Sequence, residues 1–154
     1  MADSSPGELL ELRAIQLDAA ADGAEDAIRQ AGQLLVDIEA VDLAYVDAML
    51  ERERSVSTVM GEGVAIPHGT NESKSGVRRD ALSFMRFPAG VDWNGKHVEI
   101  AIGIAAQGNN HVGILSKLAR ILVDPDSAAQ LRSATDPQEV RNLLAPDEDG
   151  DDDE

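Results

Sequence analysis

The segment GEGVAIPHGT, residues 61–70, places one histidine between a proline and a glycine. Pro67 has a fixed φ and favours an extended residue before it, so the backbone reaches His68 with little freedom. Gly69 has no Cβ and can adopt a positive φ, which permits a sharp turn and leaves space beside the ring. Because Val64–Ile66 is predicted to be a short buried strand, His68 would stand at a strand end, where α/β proteins bind ligands. The alternative is a turn histidine without a chemical role.

Three further residues could act with His68, although each also has an ordinary structural explanation. His111 follows the longest apolar segment at the predicted start of a helix, where free N–H groups attract anions, but it could be a simple first-turn residue. Arg52 lies in the charged end of a predicted helix, where solvated side chains are common. Glu62 lies between two glycines and could be a loop acid. His97 follows an Asn-Gly turn, is expected to be solvated, and is set aside.

This combination of side chains suits the transfer of a phosphoryl group. A neutral imidazole nitrogen is a competent nucleophile near neutral pH. The phosphoramidate that it forms needs donors for its charge, which a second imidazole, a guanidinium and a helix N-terminus could supply. The sequence contains no Gly-x-Ser-x-Gly, His-Glu-x-x-His or Walker motif. No carboxylate spacing suggests a third ligand beside the histidines, so we expect neither a metal ion nor a cofactor.

The composition narrows the class of protein further. The net charge is −16, but seven acids belong to residues 147–154, which leaves 22 acids against 13 bases, or −9, over residues 1–146. We therefore expect no nucleic-acid partner, since phosphate binding needs clustered cations. The absence of cysteine excludes disulfides and thiolate metal sites. The longest apolar run, residues 100–106, is too short to cross a bilayer and no secretory signal is visible, so we expect a cytoplasmic protein without direct membrane insertion.

The elements that must position these residues alternate along the chain. Four segments have the character of strands: Ala14–Leu17, Val64–Ile66, Ala81–Phe87 and Val98–Ala106. Four helices are predicted to begin near Gly23, Asp42, His111 and Asp136, and the third is predicted to end at the sequence DPDS. The predicted fold class is α/β, with a mixed, mostly parallel β-sheet flanked by helices on both faces in a single domain.

The predicted domain covers residues 13–145. Residues 1–12 are poorly patterned and are expected to be flexible. Residues 146–154 are expected to form a disordered acidic tail, because such a run repels itself and has nothing to bury.

The chain resembles the mannitol-type enzyme IIA of the bacterial phosphoenolpyruvate-dependent sugar phosphotransferase system in three segments: YVDAMLERE…GEGVAIPHGTNESK, FPAGVDWNG and IAIGIAAQGNNHVGILSKLARIL. The likeness runs from about residue 14 to residue 144. The resemblance implies a mixed sheet flanked by helices and a phosphotransferase component that works through a phosphohistidine. It also implies that phospho-HPr is the donor and that a sugar-specific enzyme IIB, acting with the membrane enzyme IIC, is the acceptor during mannitol uptake.

The resemblance assigns a role to each candidate residue. His68 matches the phosphorylated histidine, and His111 matches the second active-site histidine, which is thought to support the phosphoryl group. Arg52 matches the arginine of MLxRE and Glu62 the acid of GEGxAIPHG, and both line the same site. The attacking atom in this family is expected to be Nε2, so an acceptor should hold Nδ1–H of His68, but the sequence does not identify it. The lead-in to the first strand and the acidic tail have no clear family counterpart.

Other functions stay open at this point. Related enzymes IIA act in the fructose branch or regulate nitrogen metabolism, although the PHGT and NNH segments look more like the mannitol type. The domain could also be a binding module that takes phosphate from HPr without donating it to an enzyme IIB. Metal-dependent hydrolysis through His68 and His111 would require a bound zinc ion, which elemental analysis of the purified protein would detect.

Overall fold

The computed structural model describes residues 6–61, 63–70, 76–107 and 110–144, without the side chains of residues 110 and 111. A short 3₁₀ turn, Pro6–Leu9, precedes the regular elements. In chain order these are β1 (Leu10–Gln16), α1 (Ala24–Asp37), α2 (Ala44–Ser55), β2 (Val59–Gly61), β3 (Val64–Ala65), β4 (Ala81–Trp93), β5 (Lys96–Ala105), α3 (Asn110–Leu122), α4 (Pro125–Ser133) and α5 (Pro137–Leu144).

The described strands form one five-stranded sheet in the order β1-β4-β5-β3-β2. The pairs β1–β4 and β5–β3 are parallel, whereas β4–β5 and β3–β2 are antiparallel, which confirms the predicted mixed sheet. Strand β5 lies in the centre, and its last six residues are all buried. The continuous apolar run therefore does mark a strand covered on both faces.

Helices cover both faces of the sheet, as two polar side chains of β4 demonstrate. Ser83 donates from Oγ to the Ala31 carbonyl of α1 at 2.8 Å. Arg86, three residues further on, points to the opposite face because side chains alternate along a strand. Its guanidinium donates to the Arg132 carbonyl at 3.1 Å and to the Ala134 carbonyl at 2.5 Å, at the end of α4. The predicted fold class is therefore confirmed.

The described fold extends upstream of the boundary predicted at residue 13. Leu10 begins β1, pairs with Leu82 of β4 and has no exposed surface. Arg141 of α5 donates from Nε to the Gly7 carbonyl at 3.3 Å. Residues 6–12 thus join the core because they bury apolar surface against β4 and α5. The predicted acidic tail, residues 146–154, lies outside the described residues.

Candidate functional site

His68 lies three residues after the end of β3, beside the C-terminal end of β5. It pairs in parallel with Ile104, and the Ile104 N–H donates to the Pro67 carbonyl at 3.0 Å. Pro67 is buried, whereas His68 is half-buried. The imidazole therefore stands at the end of a strand, as the Pro-His-Gly sequence predicts.

The His68 ring is oriented by a backbone carbonyl. Its Nδ1 lies 2.9 Å from the carbonyl oxygen of Ile66. A carbonyl oxygen can only accept, so Nδ1 carries the proton and, in the neutral ring, Nε2 is the unprotonated nitrogen with the in-plane lone pair. Ile66 thus supplies the acceptor that the sequence did not identify. Nε2 is the nitrogen of His68 that can act as a nucleophile.

A buried tyrosine holds the backbone immediately after His68. The Tyr45 hydroxyl accepts from Gly69 N–H at 2.9 Å and donates to the Ile104 carbonyl at 2.8 Å. Burial raises the pKa of Tyr45 above the ordinary value of 10.0, although the Gly69 N–H opposes the shift. The hydroxyl therefore keeps the proton that it donates to Ile104. Sequence reasoning missed Tyr45, because it looks like any apolar residue on the inner face of α2.

Arg52 lies in the last turn of α2. Its Nη1 donates to the Val56 carbonyl at 2.7 Å. Two residues later, the Thr58 carbonyl accepts from Ile66 N–H at 3.0 Å. Arg52 is therefore attached to the segment that is bonded to Ile66, two residues before His68. Its place in one site with His68 stays a prediction.

The side chain of His111 and all of Glu62 lie outside the described part of the molecule. His111 belongs to the first turn of α3, and its side chain is outside the described part of the molecule. Helix α3 follows β5, whose Ile104 pairs with His68, so a place for His111 beside His68 stays a prediction. Glu62 lies outside the described residues, so its predicted place in the site stays a prediction.

Glu53, next to Arg52, is a buried hydrogen-bond acceptor whose partners the sequence did not reveal. It is 9% exposed, and both its oxygens accept from Thr58 N–H, at 3.2 and 3.1 Å. It also accepts from the Thr58 hydroxyl and, at 3.0 Å, from Nε1 of Trp93 in β4. The Thr58 carbonyl accepts from Ile66 N–H, so by holding Thr58 Glu53 also stabilises the backbone two residues before His68.

Glu53→Gln is expected to destabilise the protein. The amide offers a single acceptor oxygen, and its NH₂ group would face donors of Thr58 or Trp93. Losing hydrogen bonds to a buried charged group should lower the free energy of unfolding by about 2 kcal/mol, measured by urea denaturation. Glu51→Gln, at an exposed position of the same helix, is the matched control and should change it by less than about 0.5 kcal/mol. Equal losses in both variants would contradict this role for Glu53.

His97 lies far from this site. It is near the start of β5, seven residues from Ile104, which corresponds to about 23 Å along the strand. Its side chain is 65% exposed, and Nε2 lies 3.1 Å from a Glu99 carboxylate oxygen. Within the described ranges, no group of three or more histidine or acidic side chains is arranged to hold a metal ion. No helix in those ranges is long and apolar enough to span a membrane.

The fold and the oriented imidazole define the class: an α/β protein equipped to carry a group on a histidine nitrogen. The chain belongs to the EIIA 2 family of the phosphoenolpyruvate-dependent sugar phosphotransferase system, whose sequence model matches residues 8–146. It is thus a phosphotransferase component, which confirms the resemblance found in the sequence.

Individual relatives support this assignment. The chain is 40% identical over 119 residues to the mannitol-specific phosphotransferase enzyme IIA component of Staphylococcus aureus, covering 77% of this chain and 83% of that protein. A solved complex of enzyme IIA-Mtl and phosphorylated enzyme IIB-Mtl from Escherichia coli matches with a TM-score of 0.81 and 37% identity, over 89% of this chain and 99% of the matched chain. The nitrogen regulatory protein IIA-Ntr of Neisseria meningitidis matches with a TM-score of 0.79 and 31% identity, over 90% and 97%.

Proposed function

We propose that this chain carries phosphoryl groups as a phosphohistidine at Nε2 of His68. It accepts them from phospho-HPr and passes them to a mannitol-specific enzyme IIB, which serves the membrane enzyme IIC. The observation that carries the proposal is the contact between Nδ1 of His68 and the Ile66 carbonyl, which leaves Nε2 as the reactive nitrogen. The mannitol branch is favoured because the Staphylococcus aureus mannitol-specific component, at 40% identity, and the Escherichia coli IIA-Mtl complex, at 37%, are more similar to this chain than the nitrogen regulatory protein is, at 31%. The protein works from the cytoplasm and meets the membrane only through its partners.

The transfer is an in-line displacement. The lone pair of Nε2 forms a bond to phosphorus as the bond from phosphorus to the donor imidazole of HPr breaks. The proton on Nδ1 stays in place, so the His68 ring gains positive charge, and the Ile66 carbonyl stabilises it through a stronger, charge-assisted hydrogen bond. Because the transition state of phosphoryl transfer is loose, positioning of the two rings contributes most of the catalysis.

The remaining residues act on the charge of the phosphoryl group. Arg52 neutralises the equatorial oxygens, and His111 at the start of α3 supports the group from the neighbouring strand end. Glu62 would be repelled by a dianionic phosphate, so it aids release or holds Arg52. The second step, transfer to enzyme IIB, uses the same groups in the reverse order.

A chase experiment tests this function. The chain is labelled from radioactive phospho-HPr and then mixed with purified enzyme IIB domains of the mannitol or the fructose branch. We expect the label to move to the mannitol domain at least about tenfold faster, which corresponds to about 1.4 kcal/mol of discrimination. Faster transfer to the fructose domain would assign the chain to that branch. Label that enters the chain and reaches neither domain would instead identify a binding module, and the mannitol proposal would fall.

A further inference from the structure

The Tyr45 hydroxyl bridges β5 and the chain that follows β3, at the position where His68 pairs with Ile104. In a parallel ladder, one residue of a paired position bonds through its N–H and its C=O to the two residues that flank its partner. Before His68 this bond is direct, from Ile104 N–H to the Pro67 carbonyl at 3.0 Å. After His68, Gly69 N–H donates to the Tyr45 hydroxyl at 2.9 Å, and that hydroxyl donates to the Ile104 carbonyl at 2.8 Å. A side chain from α2 thus ties the backbone just after His68 to β5, beside the paired position.

This bridge constrains the backbone at His68. On one side of the histidine the backbone is bonded directly to Ile104, and on the other Gly69 is linked to the same residue through the Tyr45 hydroxyl. The backbone on both sides of His68 is therefore tied to one residue of β5.

We propose that Tyr45 is a positioning residue for His68: its hydroxyl sets the direction in which the imidazole leaves the sheet. The inference rests on the proposed role of His68 in phosphoryl transfer. Tyr45 holds the backbone after the ring while the Ile66 carbonyl holds Nδ1, so His68 is constrained from both sides.

The surroundings of Tyr45 suit such a role. Its side chain is 4% exposed, so the hydroxyl does not exchange its two backbone partners for water. Its own N–H lies 3.3 Å from a carboxylate oxygen of Asp42, which fixes the first turn of α2. Arg52 lies seven residues later on the same face of the helix, about 10 Å along its axis. One rigid helix therefore carries both the group that positions the His68 turn and the proposed cation for the phosphoryl group.

Tyr45→Phe tests the inference, because it removes one oxygen and keeps the ring. With saturating phospho-HPr, we expect the rate of phosphorylation to fall about tenfold while KM changes by less than about twofold, since a displaced nucleophile slows the chemical step. In the unphosphorylated variant, nitrogen NMR should show the His68 ring shifting from a single tautomer towards a mixture. Ser83→Ala is the matched control: it also removes a buried hydroxyl that donates to a backbone carbonyl, at 2.8 Å, and should leave the rate and the His68 signals unchanged.

Wild-type rate and wild-type His68 signals in Tyr45→Phe would overturn the inference, as would equal effects of the two variants. Failure of the proposed function looks different, because the wild-type chain itself would then take no label, while the NMR signals still report on the ring. If Tyr45→Phe does not fold, the native chain can be probed directly, since Tyr45 is its only tyrosine. The fluorine NMR signal of incorporated fluorotyrosine should then move when His68 is phosphorylated, and an unmoved signal would overturn the inference.

Discussion

His68→Ala is expected to take up no phosphoryl group from phosphoenolpyruvate and the two general phosphotransfer proteins. The substitution removes the only described imidazole that lies at the C-terminal end of a strand with Nδ1 held by a backbone carbonyl. Without the Nε2 lone pair no new P–N bond can form at this position. The measurement is acid-labile radioactive label on the purified chain, which should fall to background.

His97→Ala is the control for this prediction. It removes an imidazole of the same chain that is exposed and lies at the opposite end of β5. Full labelling of this variant, together with none in His68→Ala, assigns the phosphohistidine to the site. Undiminished label in His68→Ala, or mass spectrometry that finds the phosphate on another side chain under mildly alkaline conditions, would refute the assignment.

The position of His68 could be predicted because the signals are local. Pro67 and Gly69 flank the residue, and the apolar segment before them is a buried strand, so three neighbouring sequence features determine where the ring stands. The central strand was equally clear, since a long apolar run between turn residues has few alternatives.

The residues of α2 that hold the backbone around His68 could not be predicted, because they depend on contacts between distant parts of the chain. Tyr45 is separated from Gly69 by 24 positions and from Ile104 by 59. Glu53 meets Trp93 across 40 positions. Tyr45 and Glu53 both lie on α2, and nothing in the sequence distinguishes them from the ordinary charged or apolar residues of an amphipathic helix. Only the packing of α2 against the sheet gives them their partners.

Two elements escaped prediction for other reasons. Helix α4 begins at Pro125, in the DPDS sequence that was interpreted only as the end of α3. Asp124 caps it by accepting from Asp126 N–H at 3.0 Å, and Pro125 occupies the first turn, which is the same signal that correctly predicted α5 at Pro137. Strand β2 is three residues long and too short for a periodic pattern, so it becomes visible only through its pairing with β3.

Arg52→Ala is expected to slow phosphoryl transfer by about 100-fold, the usual effect of removing a preorganised donor from the charge that develops in a transition state. One nitrogen of the guanidinium is bonded to the Val56 carbonyl, which anchors the group while its other donors can face the phosphoryl oxygens. Arg52→Lys should recover only part of the rate, because an ammonium group cannot reproduce the planar, multiply donating geometry. Single-turnover kinetics with labelled phospho-HPr measures the transfer rate of wild type, Arg52→Ala and Arg52→Lys.

Arg54→Ala supplies the comparison that separates charge from position. Arg54 is two residues away on the same helix, is exposed, and lies 3.5 Å from Glu25 in a surface ion pair that contributes little to stability. Arg54→Ala removes the same formal charge from the same part of the molecule as Arg52→Ala does. The long-range attraction of a phosphorylated partner therefore falls equally in both variants. We expect the Arg54→Ala rate to stay within about twofold of wild type. If the two alanine variants slow transfer equally, Arg52 acts through net charge and not on the phosphoryl group, because only a directed contact at the reacting oxygens can distinguish one arginine of α2 from the other.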